Sequence, residues 1–412
     1  MDVVHGLVFV CLFLIALCAL ARYFRNSPLP LVCWVTLFGA GYGAFQKFAF
    51  NGLPRIQLSP DVILYIMLPI LIFESSRKLR VKTAKAVATP SAVLATLGIL
   101  VSMFAMALPI WLFTELPWID IVFFTAIMSA TDPVAVTAVF NVFPVPEKLK
   151  TLIEGESLLN DGTTVILFSL LFSRVVEGRE LILRNELLVF ALSVCGATAL
   201  GIAAGWGCMR VMRSWDALKN HFIGPLLPLL CVYLVFCAAQ AGLDISGVIA
   251  AMAATITMKL IAFNYPRAEL PARGELEFYR GFWDFLGELA NAALFFILGA
   301  EIGNHSDQIA WKLLFVSLVA LLFARSVVVY FFGAALSLGR SKIPLAWRHV
   351  LNLGGLKGAL SVALILMIPT DYPYRNAFLL SALVMCLFTL VVNTLGLRLY
   401  LKKAGLEEAG PR

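Results

Sequence analysis

Long apolar stretches alternate along this chain with short polar connectors. The runs fall near residues 6–23, 30–48, 60–75, 88–113, 119–140, 154–174, 187–209, 221–240, 244–263, 281–302, 309–337, 345–368 and 376–400. A helix needs about 20 residues to cross a hydrocarbon layer ~30 Å thick, and most of the runs have that length. They are too long and too uniformly apolar to be the short alternating strands of a membrane barrel. The pattern predicts an all-α polytopic membrane protein of about 13 transmembrane helices. The first run could be read as a secretory leader. No basic segment precedes it, however, and Arg22 and Arg25 follow it, so it is expected to persist as a helix.

Composition and charge sharpen this picture. Hydrophobic residues make up 61% of the 412 and charged ones 14%, against roughly a quarter charged in a soluble domain; the mean hydropathy is +0.90. The formal charge of +7 does not mark a nucleic-acid partner, because the basic residues are spread over connectors. Counting from the first, the odd connectors and the C-terminal tail hold 23 Lys and Arg, from Arg22 and Arg25 through Arg77, Lys78 and Arg280 to Lys402 and Arg412. The even connectors hold seven: Lys47, Arg55, Arg174, Arg179, Arg184, Lys312 and Arg375. Basic loops stay in the cytoplasm, so the N-terminus is expected outside and the C-terminus inside, in a plasma (inner) membrane. One membrane domain, residues 1–403, is expected, followed by a short cytoplasmic tail, 404–412, with no large regulatory domain. The eight cysteines show no metal-binding spacing and read as small apolar residues. His5, His221, His305 and His349 sit at the edges of runs, which argues against a zinc protease or a membrane-embedded hydrolase. No cofactor is expected.

The informative residues are ionisable groups inside apolar runs: Glu74, Asp132, Glu154, Glu156, Asp161, Arg325 and Lys357. Each costs about 2.5–3.5 kcal/mol or more at the centre of a bilayer and so marks an ion path or proton relay by default. Thr131-Asp132-Pro133 sits in the middle of its run. Proline lacks an N–H and disfavours helix at the residue before it, so a break is expected there, with freed backbone carbonyls that transporters use to ligate cations; the alternative is a simple kink. In 152–166, Ser157 and Asp161 share one helix face and Glu156 and Asn160 its neighbour. Hydroxyl, amide and carboxylate together suit a hard, oxygen-seeking cation; the alternative is a loop at the membrane edge with Glu154 and Glu156 in water. Glu74 fits either the site or the interface. Arg325 needs a partner, and Glu156 is the first choice. Lys357, in Gly354-Gly-Leu-Lys-Gly-Ala359, is either part of the site or a solvent-reaching lysine in a glycine packing motif.

At this point the chain resembles the monovalent cation:proton antiporters of the sodium/proton exchanger type, in their short prokaryotic form. The resemblance rests on Phe73-Glu-Ser-Ser76, Ala130-Thr-Asp-Pro-Val-Ala-Val136, Glu154-Gly-Glu-Ser-Leu-Leu-Asn-Asp-Gly162 and Gly354-Gly-Leu-Lys-Gly-Ala359, with support from 242–250 and 295–301. It implies inverted repeats with two crossed, broken helices at mid-membrane, the second break lying near 345–368. It implies a secondary transporter, not an enzyme, exchanging sodium or lithium for protons. Asp161 would carry cation and proton in turn; Asp132, Thr131, Ser157, Asn160 and Glu74 would complete the metal site. Asn160 stands where electrogenic relatives have a second Asp, which implies electroneutral exchange. Glu156, Arg325 and Lys357 would form a structural ion pair or network, Lys357 replacing the Arg of many relatives. A homodimer in the lipid bilayer is implied, with a core bundle of 60–175 and 281–368 and a dimer or scaffold side of 1–59 and 187–263. The residues leave open a potassium/proton antiporter and, in a different class, a gated cation channel.

Overall fold

The computed structural model describes residues 3–25, 27, 29–48, 60–140, 142–176, 178, 183–264, 273–305, 310–337 and 343–404. Arg55, Arg179, Arg267, Arg340, Lys342, Arg412 and nearly all of the expected tail lie outside the described residues. Among the described residues there is no strand. Each of the 13 apolar runs coincides with a helix or with helical segments separated by a break or a wide turn. Among the described residues, seven helices are long and apolar enough to cross a membrane. The other runs are shorter or interrupted, so the figure of about 13 crossings stays an expectation of the pattern.

The helices in chain order begin with α1 (Val3–Tyr23), α2 (Leu31–Phe48), α3 (Pro60–Val62), α4 (Leu68–Lys78), α5 (Val81–Ala95), α6 (Leu97–Phe113), α7 (Trp118–Ile127), α8 (Val134–Phe140) and α9 (Glu147–Val175). There follow α10 (Leu183–Ser214), α11 (Ile223–Cys237), α12 (Gly247–Phe263), α13 (Arg273–Asn304), α14 (Trp311–Ser337), α15 (Leu345–Leu353), α16 (Ala359–Leu366), α17 (Arg375–Phe388) and α18 (Thr394–Ala404). Wide π turns at Ile63–Met67 and Thr389–Asn393 join α3 to α4 and α17 to α18. The main departure from the pattern is α13. It starts at Arg273, so Arg273 and Arg280 belong to a helix and not to the connector expected over 264–280.

The residues pack as two units. The first holds Met1–Leu58, Leu100–Lys150 and Asn291–Arg412; the second holds Ser59–Ile99 and Thr151–Ala290. This is a division by packing.

Small residues sit where helices approach closely within each unit. In the first, Gly39 and Gly43 of α2 face the backbone of Phe296 and Ala300 in α13, while Gly299 and Gly303 of α13 face Thr36 and Ala40. A methyl group at any of these four would run into main chain. In the second, Gly201 and Gly205 of α10 meet Ala250 and Ala254 of α12 in the same way. Helices in lipid gain little from hydrophobic burial against one another, so backbone contact through small residues is how they associate.

Candidate functional site

Both expected breaks lie in the first unit. Helix α7 starts after Pro117, with Asp120 in its first turn, where a carboxylate meets the positive end of the helix dipole. It stops at Ile127. Proline at 133 offers no N–H, and α8 resumes at Val134, whose N–H donates to Asp132 Oδ1 at 2.8 Å. The simple kink is set aside: residues 128–133 are not helical. Helix α15 ends at Leu353 and α16 begins at Ala359, leaving Gly354-Gly-Leu-Lys-Gly358 non-helical between them, with Gly358 extended.

The two breaks cross. Asp132 N–H donates to the Leu356 carbonyl at 2.9 Å, Lys357 Nζ to the Ala130 carbonyl at 2.8 Å, and Ser361 Oγ to the Ile127 carbonyl at 3.1 Å. As the residue number rises along one interrupted helix it falls along the other, so the two run antiparallel where they meet. Gly358 is indispensable here, because the space for its side chain is occupied by the carboxylate and Cβ of Asp132. Lys357 is 3% exposed, which removes the solvent-reaching reading. Its own N–H donates to Thr389 Oγ1 at 3.1 Å, in the π turn between α17 and α18. Thr131 is buried and Asp132 half-buried.

Arg325, on α14, is half-buried; it donates from Nη2 to the Leu351 carbonyl at 2.8 Å and from Nε at 3.3 Å. A guanidinium thus meets carbonyls at the C-terminal end of α15, the negative end of that helix. Gly355 gives it room, since a methyl there would strike the Arg325 side chain. The sequence offers no sign of this contact, because a main-chain acceptor leaves none.

The remaining candidates belong to the second unit. Helix α9 carries Glu154, Glu156, Ser157, Asn160 and Asp161 within one continuous helix, so the membrane-edge loop is set aside. Glu156, Ser157 and Asn160 are buried; Glu154 and Asp161 are half-buried. Asn160 Oδ1 accepts from Thr164 Oγ1 at 3.1 Å, one turn on. Polar contacts tie α9 to α5: the Thr83 and Thr151 hydroxyls lie 2.6 Å apart, and a methyl at Gly155 would press on Ser91. Glu74 is buried, at 4% exposure. Its carboxylate is paired with Lys78 one turn on, and Gly287 of α13 makes room for it.

Two further polar clusters escaped the sequence reading. Lys259 of α12 donates to the carbonyls of Arg77 and Leu79 at the end of α4, while Arg77 Nη2 binds Asp284 at 2.6 Å. Lys259 lies four residues from the end of its apolar run and so passed as a topology charge. In the first unit, Tyr372 donates to Asp120. Burial and that carboxylate push the Tyr372 hydroxyl above its usual range. An acid in the first turn of an apolar run was the one available signal.

The sodium/hydrogen exchanger transmembrane family model matches residues 11–403. The Na(+)/H(+) antiporter ApNhaP of Aphanothece halophytica is 30% identical over 390 residues, covering 94% of this chain and 71% of the relative. The Na(+)/H(+) antiporter NhaG of Bacillus atrophaeus is 30% identical over 410 residues, covering 97% and 75%. Among solved structures, the sodium proton antiporter MjNhaP1 of Methanocaldococcus jannaschii superposes with a TM-score of 0.80 at 18% identity, covering 98% of this chain and 99% of that one. That likeness concerns the fold alone. By family match and by identity to these relatives, the chain belongs to the sodium/hydrogen exchanger family of transmembrane proteins.

Proposed function

We propose that the protein exchanges sodium or lithium for protons across the membrane, one cation for one proton, at a site centred on Asp161. The observation that carries this reading is the antiparallel crossing of two interrupted helices, with Asp132 and Lys357 at its centre, in a chain that matches the exchanger family over 11–403. Interrupted helices leave carbonyls and N–H groups where an intact helix has none, and they are tolerated in a membrane where they line a cavity. The relatives ApNhaP and NhaG are named as Na(+)/H(+) antiporters, which supports sodium as the cation.

In this reading Asp161 binds either a cation or a proton. Loaded with either, the site is close enough to neutral to be carried across; empty and charged, it is held. Asp132, Thr131, Ser157, Asn160 and Glu74 supply further oxygens, though for Glu74 the cation would have to displace Lys78. Arg325 and Lys357 hold the carbonyls described above. Alternating access comes from one group of helices moving past another, in a homodimer of the plasma membrane with the N-terminus outside and the C-terminus in the cytoplasm.

The test is exchange in proteoliposomes carrying the full chain. Sodium added outside should drive proton flux, and Asp161→Asn should reduce it to the level of empty vesicles. Sodium-driven flux that persists in Asp161→Asn defeats the assignment. Potassium driving flux as well as sodium would move the substrate to potassium. An imposed voltage should leave the direction of exchange unchanged; strong voltage dependence would overturn the one-for-one stoichiometry.

A further inference from the structure

The second unit contains a cavity of about 340 Å³ between α4, α10, α11, α12 and α13. It takes no part in the exchange described above. One wall is apolar and flexible, with Met209, Met212 and Met258 prominent on it; the polar side is basic, with Arg77, Lys259 and Arg280. Asp284 satisfies only part of Arg77: Nη2 binds the carboxylate at 2.6 Å, whereas the buried Nε–H has no acceptor. Lys259 spends its ammonium on neutral carbonyls, and among the described residues Glu154 is the one acid whose charge acts on it. Arg280 is exposed.

We propose that this cavity binds one anionic membrane lipid, its phosphate held by Arg77, Lys259 and Arg280 and an acyl chain lying along the methionine wall. A buried guanidinium N–H without an acceptor costs free energy that a phosphate oxygen recovers. Basic pockets between membrane helices hold anionic headgroups. Thioether side chains are unbranched and polarisable, and they adapt to a flexible chain. The volume falls within the range of ordinary small-molecule sites. A free phosphate ion would satisfy the basic side and leave the apolar wall unfilled, which is why the lipid is the occupant chosen. The charge bias assigns these three residues to the cytoplasmic side, and the lipid accordingly to that leaflet.

Binding can be read without any transport measurement. The full chain, purified in detergent, would be given phosphatidylglycerol, phosphatidylcholine with the same acyl chains, or sodium phosphate, and followed by native mass spectrometry and thermal unfolding. One phosphatidylglycerol per chain should be retained, roughly tenfold more tightly than phosphatidylcholine, with a raised unfolding midpoint. Arg280→Gln and Met258→Trp, the latter filling the cavity, should each weaken retention by roughly tenfold. Equal retention of the two lipids overturns the proposal. So does phosphate that stabilises as strongly as phosphatidylglycerol, or undiminished retention in Arg280→Gln. That variant, at an exposed position, keeps the test decisive if Met258→Trp fails to fold.

Discussion

Lys357 in the first unit and Lys259 in the second both donate to main-chain carbonyls left over where helix stops. The surroundings differ. Lys357 is enclosed at 3% exposure, follows and precedes tightly packed glycines, and is next in sequence to the residue against which Asp132 packs. Lys259 reaches the end of an uninterrupted helix from the wall of a cavity. Carbonyls at a helix C-terminus carry partial negative charge and lack intrahelical partners, and a cation answers both needs in each place. The difference lies in what else depends on the cation. At the crossing, two interrupted backbones, a carboxylate and an ammonium share one space, and none can shift alone. At the end of α4 the lysine serves one helix end and has room beside it.

This contrast sets an order of effects. Gly358→Ala should be the most damaging, because the new methyl meets the Asp132 side chain from its Cβ outward. A loss of about 3 kcal/mol or more is expected, visible as a lower thermal midpoint together with lost exchange; a variant that unfolds like the parent would refute the crossing. Lys357→Met comes next, at about 2–3 kcal/mol, for an orphaned buried carbonyl beside a carboxylate that loses its cationic neighbour. Lys259→Met should cost less, about 1–2 kcal/mol, and should leave exchange in place. Equal losses in the two lysine variants would erase the distinction drawn between the two regions.

A third basic residue, His305, extends the series to the surface. It follows the last turn of α13, with Nδ1 at 3.2 Å from both the carbonyl and the carboxylate of Glu301. The Glu301 hydrogen bond holds its pKa above the usual value. A raised folded-state value means that the stabilisation is full below the unfolded pKa of ~6.5 and fades as pH rises through the folded one. The effect should be small at this half-buried surface site. An NMR titration of His305 should give a midpoint above ~6.5, and Glu301→Gln should lower it; an unchanged midpoint in that variant would remove Glu301 as the cause.

The position of the first break was legible from local chemistry, because Pro133 cannot donate and the chain announces there where helix must stop. The second, near 345–368, followed only from the family resemblance; the glycines around Lys357 by themselves spoke for close packing. The carboxylates of α9 were legible because charge inside an apolar run is rare. What those charges touch was not. Arg325 meets Leu351, Lys357 meets Ala130 and Lys259 meets Arg77 and Leu79 through main-chain oxygens that every residue possesses. Glu74 was read as a candidate ligand, yet it sits against Lys78, because a residue one turn away on the same helix competes with any distant partner. Nor does the hydropathy pattern separate a straight helix from one with a π turn, such as Thr389–Asn393, since the wide turn changes which face a residue occupies without changing its polarity.

The reciprocal glycines of α2 and α13 reach beyond stability. Gly39 and Gly43 notch into one helix while Gly299 and Gly303 notch back into the other, like the teeth of two combs pushed together. Neither rod can slip lengthwise without driving backbone through backbone. Residues 31–48 are therefore locked to 291–304 as a single piece.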